Sequence, residues 1–517
     1  MTETELKFCV PDAVMPSLRQ ALLARGARRQ RLRAHYFDTA DGALAQARMA
    51  LRLRLEGRRW VQTLKAAGDG IAHRLEHELP VAGRSGQRPD IDPLRHAGTP
   101  AGDRLLAVLA AQAGAPLIEQ HATDVWRLHV EMSDAGGTRV ELALDTGHAI
   151  AGTQTVAIRE LEIEHKGGPV QGLFQLAVAC VHHGGLWLST VTKAERGQRL
   201  RQAGKAGTSE QAGPTDAALL HAVKARPPTL ATPADGATLL RACLQSALEQ
   251  VLANASELQP GAHPEAAAET VHQLRVGLRR LRVLLRELGP LCPAFDPAWA
   301  EVLATSFTRL GEQRDHVAVA AAVRPLLLAV GAPVLDWTPP PAADPALVVR
   351  EPAFQATLLA LLALAHADDA AFTPLTPPQV RAAVAVRLQS LQRKASRAAR
   401  DFERLPPPRQ HRVRRQLKRL RYLLEFTAML WPPRRMQALR PLMLAAQETL
   451  GLHQDVSVAA DAMRREALLR PEAAFSARWL QAHLAVTASC AGRALRRLVR
   501  APVPWRGQGK RVRGSLS

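Results

Sequence analysis

The 517-residue chain is poor in cysteine and in aromatic side chains. Its five cysteines, Cys9, Cys180, Cys243, Cys292 and Cys490, are scattered, odd in number and never in a C-x-x-C pair, which argues against a zinc ribbon or a disulfide framework and fits a reducing cytosol. Aromatic residues make up 4% of the chain, with two Tyr in all, so the stacking platforms that grip single-stranded nucleic acid are poorly supplied and nucleic acid is disfavoured as a partner. No apolar run reaches the roughly 18 residues of a membrane span: 317–335 is broken by Arg324 and two prolines, and 353–365 is too short. A charged segment directly after Met1 leaves no room for a signal peptide, so the expected location is cytoplasmic. G-x-S-x-G, a Walker A sequence and a placeable Cys–His pair are also missing, which leaves no evident covalent nucleophile and no P-loop.

What is present is length, charge and pattern. The chain is too long for one core, and 47% hydrophobic with 22% charged residues is globular. A formal charge of +21 points to a polyanionic partner, whether nucleic acid, anionic membrane or polyphosphate. Residues 1–230 carry 29 Lys/Arg against 24 Asp/Glu, and the remainder 39 against 23, so the second part is the expected polyanion binder.

The opening stretch T-E-T-E-L-K-F, Thr2 to Phe8, alternates Glu3, Glu5 and Lys7 with Leu6 and Phe8. As a strand it puts two carboxylates and an ammonium on one face, roughly 6.7 Å apart. A solvated face would account for this alone; two carboxylates beside an ammonium also suit a hard divalent cation that in turn holds an anion. A helix is predicted over Pro11–Gly26. Strands are predicted at 33–39, 49–56, 60–65, 73–79, 124–131, 139–145, 156–165 and 186–192, several separated by turns such as Asp41-Gly42, Gly68-Asp69-Gly70 and Gly136-Gly137. Their charges recur at every second position, as in Arg52 and Arg54, in Arg74, Glu76 and Glu78, and in Glu160, Glu162 and Glu164. An exposed sheet face or a barrel lumen would both read this way. Two sets result: acidic Glu3, Glu5, Glu160, Glu162 and Glu164, and basic Lys7, Arg52, Arg54, Lys65, Arg127 and Lys193.

T-E-T-E-L-K-F, H-Y-F-D-T at 35–39, A-L-R-L-R, V-Q-T-L-K at 61–65, E-L-A-L-D-T-G at 141–147, R-E-L-E-I-E and S-T-V-T-K-A-E-R-G at 189–197 together resemble the CYTH domain of triphosphate tunnel metalloenzymes. The resemblance implies an eight-stranded antiparallel tunnel that binds a triphosphate and Mg²⁺ or Mn²⁺ in its lumen. By position it implies Glu3, Glu5, Glu160 and Glu162 as metal ligands, and Lys7, Arg52, Arg54, Lys65, Arg127 and Lys193 as phosphate holders. Glu3, Glu5, Lys7 and Lys65 are the catalytic candidates; Glu164, Arg74 and Arg199 are second-rank members.

Residues 204–233, rich in Ala, Gly, Thr and Pro, read as a linker with a short helix at Ala217–Ala225. From Ala237 on, helices are predicted, punctuated by prolines. His272, Arg275, Arg279, Arg280, Leu281 and Arg282 align without gaps on His411, Arg414, Lys418, Arg419, Leu420 and Arg421, and L-G-E-Q-R-D ending at Asp315 repeats as L-G-L-H-Q-D ending at Asp455. On a helix His272, Arg275, Arg279 and Arg282 fall within an arc of about 80°, beside a stripe of Leu274, Leu278, Leu281 and Leu285. His411, Arg414, Lys418 and Arg421 do the same beside Val413, Leu417, Leu420 and Leu424. This half resembles the CHAD domain, which implies two four-helix halves and binding of inorganic polyphosphate by His272, Arg275, Arg279, Arg282, Arg286, His411, Arg414, Lys418 and Arg421.

The expected architecture is therefore multidomain: an N-terminal antiparallel eight-stranded β-barrel tunnel with flanking helices at 1–203, a linker at 204–233, a C-terminal all-α domain at 234–505 and a basic tail at 506–517. The resemblance to CYTH-CHAD inorganic triphosphatases implies hydrolysis of tripolyphosphate to pyrophosphate and phosphate, with polyphosphate held by the helical domain and the protein placed at polyphosphate deposits. Adenylate cyclase or thiamine triphosphatase activity in the same tunnel, or a non-enzymatic polyphosphate or RNA scaffold, are the alternatives.

Overall fold

The computed structural model describes residues 2–68, 73–82, 87–205, 220–230, 233–261, 263–333 and 343–505. Eight strands form the first region: β1 (Thr2–Cys9), β2 (Arg28–Asp38), β3 (Met49–Glu56), β4 (Arg59–Ala67), β5 (His73–Val81), β6 (Ile118–Ser133), β7 (Arg139–Ala151) and β8 (Gln154–Gly167). They run antiparallel in the order β5-β4-β3-β2-β6-β7-β8-β1, and β1 pairs again with β5, Glu3 opposite Arg74, so the sheet closes. Closure removes both edges and gives the alternating charges a common interior. The apolar positions face outward and need cover. Leu44 of α2 (Ala43–Gln46) and Ala101 and Leu105 of α3 (Pro100–Ala111) supply it to Met49, Leu51, Leu64 and Ala66. Each such fully buried Leu contributes about 1.5–3 kcal/mol. The first helix, α1 (Met15–Ala24), is shorter than its expected span, and α3 is an addition to the expected set, begun by Thr99, whose hydroxyl accepts from the Gly102 N–H at 3.0 Å.

The segment expected as a strand over 186–192 behaves differently. Only β9 (Trp187–Leu188) pairs, with Phe8 and Cys9, following α4 (Gln171–Gly184). The Ser189 N–H still donates to the Lys7 carbonyl of β1 at 2.8 Å, but beyond it side chains take over: the Thr190 N–H donates to Ser256 Oγ at 2.9 Å and the Thr192 N–H to Glu195 Oε2 at 2.7 Å. Thr192 Oγ1 in turn accepts from the Glu195 N–H, a reciprocal capping box that starts α5 (Lys193–Lys205). Lys193 is thus the first residue of a helix. Gly197, one turn on, lies so close to His121 of β6 that a Cβ would stand 2.0 Å from the ring, which seats α5 against the inner face of the strands.

Residues 220–225, expected to be helical, are irregular; Asn254 holds them by accepting from the Val223 N–H at 3.0 Å and donating to its carbonyl at 2.8 Å. Residues 217–219, Asp69-Gly70 of the expected turn and the basic tail 506–517 lie outside the described residues.

No strand follows α5 among the described residues; the rest is α6 (Gly236–Glu257), α7 (Pro264–Leu288), α8 (Ala298–Arg309), α9 (Glu312–Leu328), α10 (Pro345–Arg350), α11 (Pro352–Ala365), α12 (Pro377–Arg400), α13 (Pro407–Phe426), α14 (Pro433–Glu466) and α15 (Ala473–Arg500). Six of these ten begin on proline, whose missing N–H costs nothing in the first turn. The repeated motifs occupy matched places, the basic rows on α7 and α13 and the aspartates on α9 and α14. The Leu274, Leu278 and Leu281 stripe and its Val413, Leu417 and Leu420 counterpart are buried.

Contacts divide the chain into two compact units that cut across the helical region. The first joins Met1–Ala225 to Gln245–Gly277 and Asp344–His366; within it Gln355 of α11 accepts from the Leu188 N–H at 2.8 Å. The second comprises 226–244, 278–343 and the described residues after 366, with a core of Val319 and Val323 from α9, Val456, Ala459, Ala460 and Met463 from α14, and Leu480 from α15. No helix among the described residues is long and apolar enough to cross a membrane.

Candidate active site

The barrel encloses a cavity of about 290 Å³. Among the described residues eight cations line it (Lys7, Arg52, Arg54, Lys65, Arg74, Arg127, Lys166, Lys193), and eight carboxylates (Glu3, Glu5, Glu76, Glu78, Glu141, Asp145, Glu162, Glu164). Strand register explains the convergence: Lys7 sits opposite Glu162, Glu5 opposite Glu164, Asp145 opposite Arg127 and Lys65 opposite Glu76.

Most of the predicted tunnel residues meet here, the cations other than Arg52 against acids. Lys7 lies 3.1 Å from Glu162 and 3.6 Å from Glu160. Lys193, delivered by the first turn of α5, reaches Asp145 at 2.7 Å, Glu162 at 2.9 Å and Glu160. Arg127 forks onto both oxygens of Asp145 at 2.8 and 2.7 Å and bonds Glu162 at 2.6 Å. Lys65 bridges Glu3 at 2.8 Å and Glu76 at 3.1 Å, Arg54 bonds Glu56 and Glu78, and Arg74 stands 3.5 Å from Glu5. Arg52 is directed to the Tyr36 hydroxyl at 3.5 Å. Glu164 lines the cavity paired with Lys166 at 2.7 Å. Arg199 does not line it, being held in a fork by Glu257 of α6 at 2.6 and 2.7 Å.

Glu76, Glu78, Glu141, Lys166 and Asp145 line the cavity although sequence reasoning placed them in neither set, and the one that matters most is Asp145. With Glu160 and Glu162 it forms a buried trio whose ligand oxygens lie within 4.8 Å of one another, whereas Glu3 and Glu5 fall outside that group. A parity argument could have found it, since Asp145 shares the face of Glu141 in E-L-A-L-D.

Burial by itself would neutralise these acids, and the cations decide the outcome. Burial pushes the Glu162 carboxyl up, but Lys193, Lys7 and Arg127 outweigh it and hold it well below the usual carboxylate range. Burial likewise opposes ionisation of Asp145, and Arg127 and Lys193 win, keeping it low. At Glu3 burial prevails, helped by a hydrogen bond with Glu76, and the group is raised; Glu76 is lowered against its own burial by that bond and by Lys65. The donor set fits a hard divalent ion: three clustered carboxylates, with Glu160 fully buried and its Oε2 lacking a hydrogen-bond partner among the described residues.

In the second unit Arg279 of α7 meets Arg414 and Lys418 of α13. Burial, then the charges of Arg279 and Arg414, drag the Lys418 amine down to about 6, opposed by Asp455. Asp455 of α14 lies 3.8 Å from Arg414, and Asp315 of α9 acts on both. Arg421 bonds Gln447 at 2.8 Å, Arg279 and Arg282 stack on Phe307, and Arg286 is exposed. His411 bonds Gln454 at 2.8 Å, while His453 is engaged by Gln410 and Thr487, so the two histidines are tied to separate partners. On the part of α7 that belongs to the first unit, Arg275 is buried and His272 half-buried.

Comparison with known proteins agrees with this layout. Residues 1–197 match the CYTH domain model and residues 242–464 the CHAD domain model. An inorganic triphosphatase of Haemophilus influenzae is 29% identical over 174 residues, which span 32% of this chain and 44% of that relative. Among solved structures, the CHAD domain from the plant Ricinus communis aligns at 22% identity over 55% of this chain and 98% of its own, with a TM-score of 0.41. A putative adenylyl cyclase from Hippeastrum, described as having a dominant triphosphatase activity, aligns at 18% identity over 36% of this chain and 89% of its own, with a TM-score of 0.24. The chain is a CYTH domain followed by a CHAD domain.

Proposed function

We propose that the tunnel hydrolyses tripolyphosphate to pyrophosphate and phosphate with Mg²⁺ or Mn²⁺, and that the helical domain binds inorganic polyphosphate. The observation that carries the first part is the interleaving of eight cations with eight carboxylates around one cavity. An anion sink would gain nothing from the acids. A site for a highly anionic chain accompanied by a divalent ion needs both sets. The match to the Haemophilus triphosphatase, over 44% of its length, supports a phosphoanhydride as the bond attacked.

In this reading Asp145, Glu160 and Glu162 hold the divalent ion, with Glu3 and Glu5 facing the same cavity from β1. When bound, the ion supplies charge neutralisation at the phosphates and a water of lowered pKa. Lys7, Arg127 and Lys193 exchange carboxylate oxygens for phosphate oxygens. Arg52, Arg54 and Lys65 hold the rest of the chain and fix it in line for attack. Among the described residues Tyr36 is the one aromatic side chain lining the cavity, and its ring is 4% exposed and packed on His121 at 4.6 Å, which disfavours it as a platform for a nucleobase or a thiamine ring. Turnover of tripolyphosphate, ATP and thiamine triphosphate by the full chain tests this: kcat/KM is expected to be at least about tenfold higher for tripolyphosphate. Faster turnover of ATP or thiamine triphosphate would assign the tunnel to them instead.

For the helical domain, the convergence of Arg279, Arg414 and Lys418 supports the reading, because two guanidinium groups beside an amine that gives up its charge form a site that gains from an arriving anion. His272, Arg275, Arg282, Arg286, His411 and Arg421 complete the proposed polyphosphate set, and placement in the cytoplasm at polyphosphate deposits follows from the same proposal.

A further inference from the structure

The outer face of β2 carries charge that neither the tunnel nor the basic helices use. Arg25, Arg28, Arg29, Arg31 and Arg33 fall within nine residues that contain no acid. Their five charges equal the whole surplus of 29 basic over 24 acidic residues in 1–230, so elsewhere in that region the two signs balance. The alternation of β2 sends Leu32 and Ala34 to the cavity and leaves Arg29, Arg31 and Arg33 exposed on the outside. Register sets Arg31 opposite Trp126 of β6 and Arg33 opposite Asp124. Arg31 is held by Asp124 at 2.6 and 2.9 Å; Arg29 and Arg33 make no salt bridge among the described residues. Trp126, on the same outer side, is 39% exposed. The Arg29 guanidinium stacks on its ring at 3.9 Å, which fixes the ring's orientation.

We propose that this strip, Arg29, Arg31 and Arg33 beside Trp126, binds single-stranded nucleic acid along the outside of the barrel. Arginines two residues apart on a strand are spaced by about 6.8 Å. That spacing suits a backbone whose phosphates are separated by a sugar, and the indole is what favours such a chain over inorganic polyphosphate. An indole whose ring is already steadied by a guanidinium offers a base the stacking surface that inorganic chains cannot use. The strip is built of different residues from the tunnel, so it stands apart from the reading of the tunnel as a triphosphatase site.

The test is fluorescence anisotropy of a labelled twelve-nucleotide oligouridylate lacking a 5′-triphosphate, titrated with the full chain at several salt concentrations. Three variants are compared with the native chain: R29Q/R31Q/R33Q, W126A and, as the control in the helical domain, R279Q/K418Q. The triple variant is expected to lose at least about tenfold in affinity, and its salt slope to fall by about two, since each phosphate contact on a single strand contributes about 0.7. W126A should lose about fivefold with the slope unchanged, and both variants should hydrolyse tripolyphosphate at the native rate. Absence of oligonucleotide binding, or loss of it only in R279Q/K418Q, overturns the proposal. So does an equal loss of oligonucleotide and long-chain polyphosphate in the triple variant with no effect of W126A, which would make the strip a general polyanion surface. Circular dichroism of each variant separates misfolding from lost contacts, and if the triple variant misfolds, the W126A result decides.

Discussion

The tunnel and the basic helices both gather arginine and lysine, and they treat the charge in opposite ways. In the tunnel every cation from Lys7 to Lys193 faces a carboxylate or the Tyr36 hydroxyl, and the matching is so close that Glu162 and Asp145 stay ionised despite burial. On α7 and α13 the cations crowd one another, and Lys418 yields its proton, with its amine drawn down to about 6. Balanced charge costs desolvation but leaves each side chain oriented, which is what chemistry on a bound chain requires. Unbalanced charge leaves a standing demand for an anion, which is what reversible binding requires.

The sharpest way to break this contrast is to remove one acid from the tunnel. Glu162→Gln deletes the partner shared by Lys7, Arg127 and Lys193, and the account expects tripolyphosphate turnover to fall by at least about a hundredfold. Polyphosphate binding, followed by calorimetry on the same variant, should stay at the native level. Loss of both properties together would mean that the two sites are one.

The second largest effect belongs to the helices. Arg279→Gln with Lys418→Gln should weaken long-chain polyphosphate binding by about tenfold and lower the slope of log affinity against log salt by up to about two, with triphosphate turnover unchanged. An unaltered slope removes α7 and α13 from the interface.

A smaller effect concerns pH. Lys418 is mostly neutral above about 6 in the folded chain, and a phosphate beside it raises its pKa, so binding takes up a proton. Affinity should therefore decline as pH rises from about 6 towards the pKa of the bound form, by a few fold per unit at most. Calorimetry in two buffers of different ionisation enthalpy measures the uptake directly, and Lys418→Met should abolish it. The same linkage acts on folding: the unfolded chain binds the Lys418 proton more tightly, so this group's contribution to stability increases with pH between about 6 and the ordinary lysine range.

How much of this was legible in the sequence depends on whether the signal was local. The period-two charges of β1, β3 and β8 announced a polar strand face, and the closed order of the strands made that face an interior. The paired rows on α7 and α13 were visible as a repeat, and their leucine stripes are buried as the spacing required. Asp145 shares its strand face with one other acid, Glu141, four residues away, a weaker alternation than that of β1 or β8; its meaning comes from Arg127 and Lys193, one on the neighbouring strand and one on a helix almost fifty residues later. The strand expected at 186–192 stops short because T-K-A-E at its end is a capping box, whose Thr192 and Glu195 start a helix where a strand would need ladder partners. Irregular structure at 220–225 depends on Asn254, thirty residues away, and nothing local in that stretch announces it.

The most direct test of the central claim, that matched acids and cations in the tunnel accept a phosphate chain only in company with a divalent ion, is phosphate release from tripolyphosphate by the purified full chain with Mg²⁺, with Mn²⁺ and with chelator. The account predicts release with either ion, none with chelator, and recovery when the ion is returned. Release that persists at the same rate in chelator, or none under any of these conditions, would contradict it.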